Sequence, residues 1–408
     1  MQSVRHPRFL LLAAFAAVLL AVLISGDVLS QLRGQGGFGG RERAAIREPF
    51  AGITTNGEIQ TGLFSIQETG VSTAPVLEAA RNFLGSLSDE QRDRVFFPVD
   101  DSEWRRWANQ HSYRRQGVSF EELDEGQREA AFGLMKAGLS AKGFRRSRDI
   151  MRLNYTLGEI TGNFAELDEW FYYFTVMGEP SENQPWGWQL DGHHLIVNYF
   201  VLGDQVVMTP TFMGSEPVIA EAGKYKGVAV MQEERRRGLD LIRALDPGQR
   251  SKAVIGESKQ GNNALAQAFR DNVVLDYAGI AASEFTDAQR DLLLALVEEF
   301  VGNMDEGHAK VKMNEVRDHL DSTHFAWIGD HGDDSPFYYR VHSPVVLIEF
   351  DHQRPVFMRL PRVPTLQHVH SVIRTPNGND YGKDLLRQHY ANSHRAALGA
   401  NPADHPSP

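Results

Sequence analysis

The sequence predicts an α+β fold, with capped helices packed on mainly antiparallel sheet. Three observations lead there. A helix-start signal occurs four times, an aromatic and β-branched stretch follows each pair of signals, and no steady strand–helix–strand alternation runs through the chain.

The helix starts are Ser88-Asp89-Glu90-Gln91, Asp124-Glu125-Gly126-Gln127, Asp246-Pro247-Gly248-Gln249 and Thr286-Asp287-Ala288-Gln289. Each follows an apolar residue: Leu87, Leu123, Leu245 or Phe285. The first side-chain oxygen of each box accepts from a free N–H of the first turn, and the glutamine three residues on reaches back to the cap. Pro247 stands at the first helical position, where a missing N–H costs nothing. Behind the last box, Leu292, Leu293, Leu296, Val297 and Phe300 fall on one helix face.

Strands are predicted from β-branched and aromatic content over residues 170–177, 186–190, 194–202 and 205–211. A second set is predicted over 324–328, 338–342, 345–351 and 356–360, with 368–374 as one more. Laid on one another, the two sets put Phe174 on Phe325, Gly178 on Gly329, Pro185 on Pro336 and Tyr199 on Phe350. An internal duplication and a mere sharing of helix caps both account for this.

Residues 1–30 read as a signal peptide or an uncleaved N-terminal anchor. Arg5 and Arg8 precede an apolar run over 9–24. At ~1.5 Å per residue that run covers about 24 Å, against a hydrocarbon layer of ~30 Å. Either reading exports the rest of the chain to a periplasmic or extracellular location, with membrane contact only through this segment if it is uncleaved. Residues 31–69 begin glycine-rich and are expected to form a flexible linker. Residues 70–395 are expected to form a single module, with halves 70–225 and 226–395, and residues 396–408 a disordered tail.

The chain carries a net charge of −11, which argues against nucleic acid as a partner held by a large positive field. It has no cysteine, which excludes disulfides, iron–sulfur clusters, thiolate catalysis and cysteine-ligated zinc. P-loop, nucleophile-elbow and His-Glu-x-x-His patterns are absent. The basic run Trp104-Arg105-Arg106-Trp107 could hold a carboxylate or phosphate beside a ring, and reads first as a solvated helix face.

The 15 histidines carry the chemical signal. His368 and His370 are i and i+2 on a predicted strand, so both point to one face and two imidazoles can grip one ion. Asp191-Gly192-His193-His194 lies between two predicted strands, where adjacent residues face opposite ways. Glu349 and Asp351 share a strand face, and paired carboxylates suit acid–base work. His342 and His352 are further ligand candidates. Arg374 and Asp380 flank a turn just after His370. Set against this, half-exposed edge histidines and a strand end turning out to solvent account for the same residues without any ion.

The runs Trp186-Gly187-Trp188-Gln189-Leu190-Asp191-Gly192-His193-His194, Ile348-Glu349-Phe350-Asp351-His352-Gln353, His368-Val369-His370 and Asn379-Asp380-Tyr381-Gly382 resemble a secreted family catalogued as domain of unknown function 3500. So does the run from Val201 to Pro217. The likeness covers roughly residues 70 to 395. It implies one exported module rather than a fusion of known enzymes, and no reaction.

The leading expectation is a metal-dependent enzyme acting on a small organic or sugar-like substrate, with hydrolysis first and redox chemistry second. Its divalent ion (Zn, Cu or Fe) would be held where the two β-rich halves meet, by His193 or His194 with His368 and His370, and by His342 or His352 as a fourth. Glu349 and Asp351 would act as acid–base groups. Trp186, Trp188, Asp191, Arg374 and Asp380 would hold the substrate. Two rivals stand beside it: a ligand- or metal-binding module without turnover, and a structural envelope protein whose histidines are satisfied by hydrogen bonds.

Overall fold

A computed structural model describes residues 40–399, so the expected signal or anchor segment and the end of the tail lie outside the described residues. Among the described residues no helix is long and apolar enough to cross a membrane. The fold is α+β. Among the described residues, ten α-helices accompany one sheet of 13 strands.

The helices are α1 (Gly40–Arg47), α2 (Ala74–Ser86), α3 (Asp89–Val95), α4 (Glu125–Gly138), α5 (Ala141–Thr161), α6 (Gln232–Ala244), α7 (Pro247–Ala253), α8 (Asp287–Val301), α9 (Glu306–Asp318) and α10 (Lys383–Gly399). All four predicted boxes close: Ser88, Asp124, Asp246 and Thr286 accept from the N–H of the glutamine three residues on, and that glutamine returns a bond to the cap. The strands are β1 (Phe96–Phe97), β2 (Val118–Ser119), β3 (Tyr172–Met177), β4 (Trp186–Gly192), β5 (Leu195–Leu202), β6 (Gln205–Val207), β7 (Thr211–Ser215), β8 (Val254–Gly256), β9 (Ile280–Ala281), β10 (His324–Ile328), β11 (Tyr338–His342), β12 (Leu347–His352) and β13 (Val369–Arg374).

The main path of the sheet is β1-β3-β4-β5-β7-β13-β12-β11-β10-β8. Read from either edge, the order is the same: a short strand pairs parallel with the first long strand, then antiparallel strands follow to the centre. β2 and β9 occupy matching places, on β3 and β10. The centre is the antiparallel β7–β13 pair.

The pleat divides each strand between two cores. Leu190, Val197, Met213, Ile348, Phe350, Val369 and Ile373 pack under the helix layer. Ile196, Phe212, Leu347 and Val372 face the other side, where they meet Trp104, Trp107, Tyr381 and Leu385. The run at 104–107 is therefore not a solvated helix. It begins inside a 3-10 turn (Ser102–Arg105), with Trp104 and Trp107 buried and Arg105 paired with Asp271 at 2.8 Å.

Two irregular segments cross this second face. Residues 257–271 form a strap held by strand side chains. Residues 353–367 form a loop where a strand was predicted over 356–360. Pro355 and Pro361 bracket that stretch, and its N–H groups bond to a side chain instead of a neighbouring strand. Residues 48–72 also lack regular structure but are bound to the body: Asp204 accepts from Thr69 and Gly70, and Ile53 is fully buried.

Candidate metal centre

His193 and His194 form the two-residue turn between β4 and β5, since Gly192 pairs with Leu195. His194 is left-handed there, at φ 62°, a conformation a non-glycine residue adopts at a cost of order 1 kcal/mol. His370 lies on β13, on the face that carries Val372, and His368 precedes it by two residues. Between β5 and β13 runs β7, where Gly214 sits opposite His370 and donates its N–H to the His194 carbonyl. A side chain at 214 would press on the Val369 carbonyl and touch both rings. An added Cβ would lie 3.3 Å from His370 Cδ2 and 3.4 Å from His194 Cδ2.

The result is a triangle of ring nitrogens. Nε2 of His194 lies 3.1 Å from Nε2 of His370 and 3.3 Å from Nε2 of His368, and the last two are 3.0 Å apart. All three residues are buried. Burial holds each imidazole below its ordinary pKa, furthest for His194 and His370, where neighbouring imidazoles add to the effect. Burial thus favours the neutral imidazole, the form that binds a metal.

Three nitrogens this close conflict with one another when no cation is present. Each either carries a proton or presents a lone pair, so two of the three are alike. At least one contact then sets hydrogen on hydrogen or lone pair on lone pair. A cation at the centre lets all three lone pairs point inward. Bonds of about 2.0–2.1 Å place tetrahedral ligands roughly 3.3 Å apart and octahedral ones roughly 2.9 Å apart, which brackets the observed edges.

The outer contacts also suit ligands. His368 Nδ1 donates to the Arg354 carbonyl at 2.7 Å, and the Gln267 side-chain amide lies 3.2 Å from His370 Nδ1. Gln267 is on the strap. Asp351 accepts from the N–H of Asn263 and Ala264 and pairs with Lys259 at 2.9 Å. Glu349 accepts from Leu265, Ala266 and the Tyr338 hydroxyl. Arg374 donates to the carbonyls of Ala266 and Gln267 and pairs with Asp271 and Asp380. Burial raises the pKa of Glu349, Asp351 and Asp380, against the lowering effect of Tyr338, Lys259 and Arg374 respectively.

The residues named from the sequence therefore divide. His194, His368 and His370 come together. Glu349, Asp351 and Arg374 share their face of the sheet and fix the strap, and Asp380 holds Arg374 from the turn that follows β13. Asp191 also faces this side, with its pKa raised to about 6 by burial despite its ion pair with Arg115. His193 stacks on His194 at 3.9 Å but turns its Nδ1 to Asn154. His342 lies two strands away against Tyr277, and His352 is on the helix side, edge-on to Phe337 and Phe350. Burial lowers both to a pKa of about 3. Trp186 and Trp188 are core residues on the helix side, with Trp188 stacked on Tyr199.

Sequence reasoning missed Gly214, Glu216, Gln267 and the Arg354 carbonyl. An isolated glycine inside a strand is a sign of close approach, and could have pointed to Gly214. Nothing local marks the others.

Fold and site define a class: an α+β protein with one continuous sheet and a buried three-histidine group that could hold a metal ion. Residues 69–383 match the family described as protein of unknown function (DUF3500), and the chain belongs to that family. No curated protein and no solved structure matches it.

Proposed function

We propose that the chain is an exported metalloenzyme whose His194, His368 and His370 hold one divalent zinc, copper or iron ion, and that it hydrolyses a small organic or sugar-like substrate. The observation that supports this is the Nε2 triangle, with edges of 3.0–3.3 Å. Three neutral imidazoles leave at least one position open, and an ion so held lowers the pKa of bound water to about 7 and supplies a nucleophile. Within this reading, Gln267 and the Arg354 carbonyl orient His370 and His368, and the strap and the 353–367 loop limit access of bulk water. Redox chemistry is the second choice of reaction. Export rests on the basic and apolar pattern of residues 5–24.

One observation favours a reading without turnover. Glu349 and Asp351 are occupied in binding the strap, and among the described residues no carboxylate joins the three Nε2 atoms as a further ligand, Glu216 meeting His368 only on its Nδ1 side. A metal-binding module of the envelope would need none.

Metal analysis of the purified protein tests the centre. About one ion per chain is expected, and none in the His368→Ala/His370→Ala variant. Equal metal in both would remove the proposal. Turnover of ester, amide and glycoside substrates by the loaded protein, absent in the variant, separates enzyme from binding module.

A further inference from the structure

Glu216 follows β7 directly and is 1% exposed. Its carboxylate accepts three consecutive backbone N–H groups of the covering loop: Val356 and Phe357 at 3.0 Å each, and Met358 at 2.9 Å. The other oxygen lies 3.6 Å from His368 Nδ1, its ion-pair partner among the described residues. The same nitrogen donates to the Arg354 carbonyl, and the N–H of Gln353 bonds to the His368 carbonyl at 2.7 Å. Residues 353–358 are thus stitched to one ligand histidine by backbone and side chain together. Phe357 continues the cover, edge-on to His111 at 4.7 Å and 6.1 Å from His193, whose ring stacks on His194. Residues 359–363 are exposed and held by short-range turns, and Thr365 closes the loop by donating its N–H to the Gln353 carbonyl at 3.0 Å.

From this geometry we infer that Glu216 is a positioning residue that couples ion occupancy of the triad to closure of residues 353–358 over it. The inference rests on the metal-centre reading. A buried carboxylate beside a neutral imidazole gains little from it. When a cation sits on Nε2, the imidazole carries positive charge toward Nδ1, and the attraction to Glu216 acts in a low-dielectric interior. That attraction fixes the carboxylate, and the carboxylate fixes the three N–H groups. Coupling is reciprocal: whatever loosens the loop must weaken the ion by the same factor. The loop thereby admits the ion while the triad is empty and encloses it once it is bound.

Hydrogen exchange by mass spectrometry on the full chain, with and without zinc, reads the coupling at the amides of Val356, Phe357 and Met358. Zinc should slow exchange there several-fold more than in the β10–β11 hairpin. In Glu216→Gln the zinc-dependent difference should vanish, and zinc affinity should fall about 10–100-fold, the usual effect of losing a partner of a ligand histidine. Zinc binding with unchanged exchange at 356–358, or with slowing shared equally by the whole chain, overturns the inference and leaves the metal centre standing. Failure of the unaltered protein to take up zinc, copper or iron overturns the metal centre itself. Should Glu216→Gln not fold, the comparison on the unaltered protein decides alone.

Discussion

Gly214 shows how far one residue governs the site. His194, in the turn before β5, and His370, on β13, belong to strands that are not neighbours, and the strand between them passes close under both rings with no side chain at that point. The Cβ of an alanine would also lie 2.4 Å from the Val369 carbonyl oxygen, closer than backbone allows. Gly214→Ala is therefore expected to shift β7 against β13 and cost roughly 1–3 kcal/mol, as overpacking does. More tellingly, it should reduce metal binding at least tenfold with all three ligands still present. Thermal unfolding and metal titration of the same preparation check both parts. Full metal affinity in a destabilised variant would show that the rings reach one another by another path.

At the scale of elements, the capping boxes do more than start helices. The glutamines of paired boxes bond to each other. Gln127 donates to Gln91 at 2.8 Å, and Gln289 donates to Gln249 at 2.7 Å. Each clasp joins a short helix before an edge strand to a long helix of the core layer. Gln289 also donates to the Ala244 carbonyl and accepts from the Thr286 N–H at its own cap. Gln289→Ala removes these bonds at an 8% exposed position and should lower stability by about 1–3 kcal/mol, with no effect on metal content. Chemical denaturation of the variant measures this. The boxes themselves were legible because capping is a local code of four residues. The clasp was not, because it joins residues 36 and 40 positions apart, and nothing in one box names its partner. The tryptophans make the opposite case. Trp186-Gly187-Trp188-Gln189-Leu190-Asp191 alternates strictly, so the sequence already places both tryptophans with Leu190 and away from Asp191. Reading them as a pocket wall set composition above period. The strap at 257–271 had no such signal. It follows no period, and its shape comes from side chains on β12 and β13 far along the chain.

The whole molecule has a sheet whose order reads alike from both edges, with its seam at the β7–β13 pair. The triad lies on that seam. His194 belongs to the first set of strands and His368 and His370 to the second, 174 and 176 residues away. An ion there would tie the two sets together. Global unfolding separates the three ligands, so it must release the ion, and mass action then links stability to ion concentration. At 100 times the dissociation constant the gain is about 2.7 kcal/mol, or about 4 °C in Tm for a unit of this size. The midpoint should go on rising with the logarithm of ion concentration, by about 1.4 kcal/mol per decade. A chelator should reverse the rise, and the His368→Ala/His370→Ala variant should show none of it. A surface site formed by residues close in sequence would keep part of its affinity in the unfolded chain and give a shallower slope. The steepness of Tm against ion concentration therefore reports on the seam itself: a full slope requires that both sets of strands separate when the ion leaves.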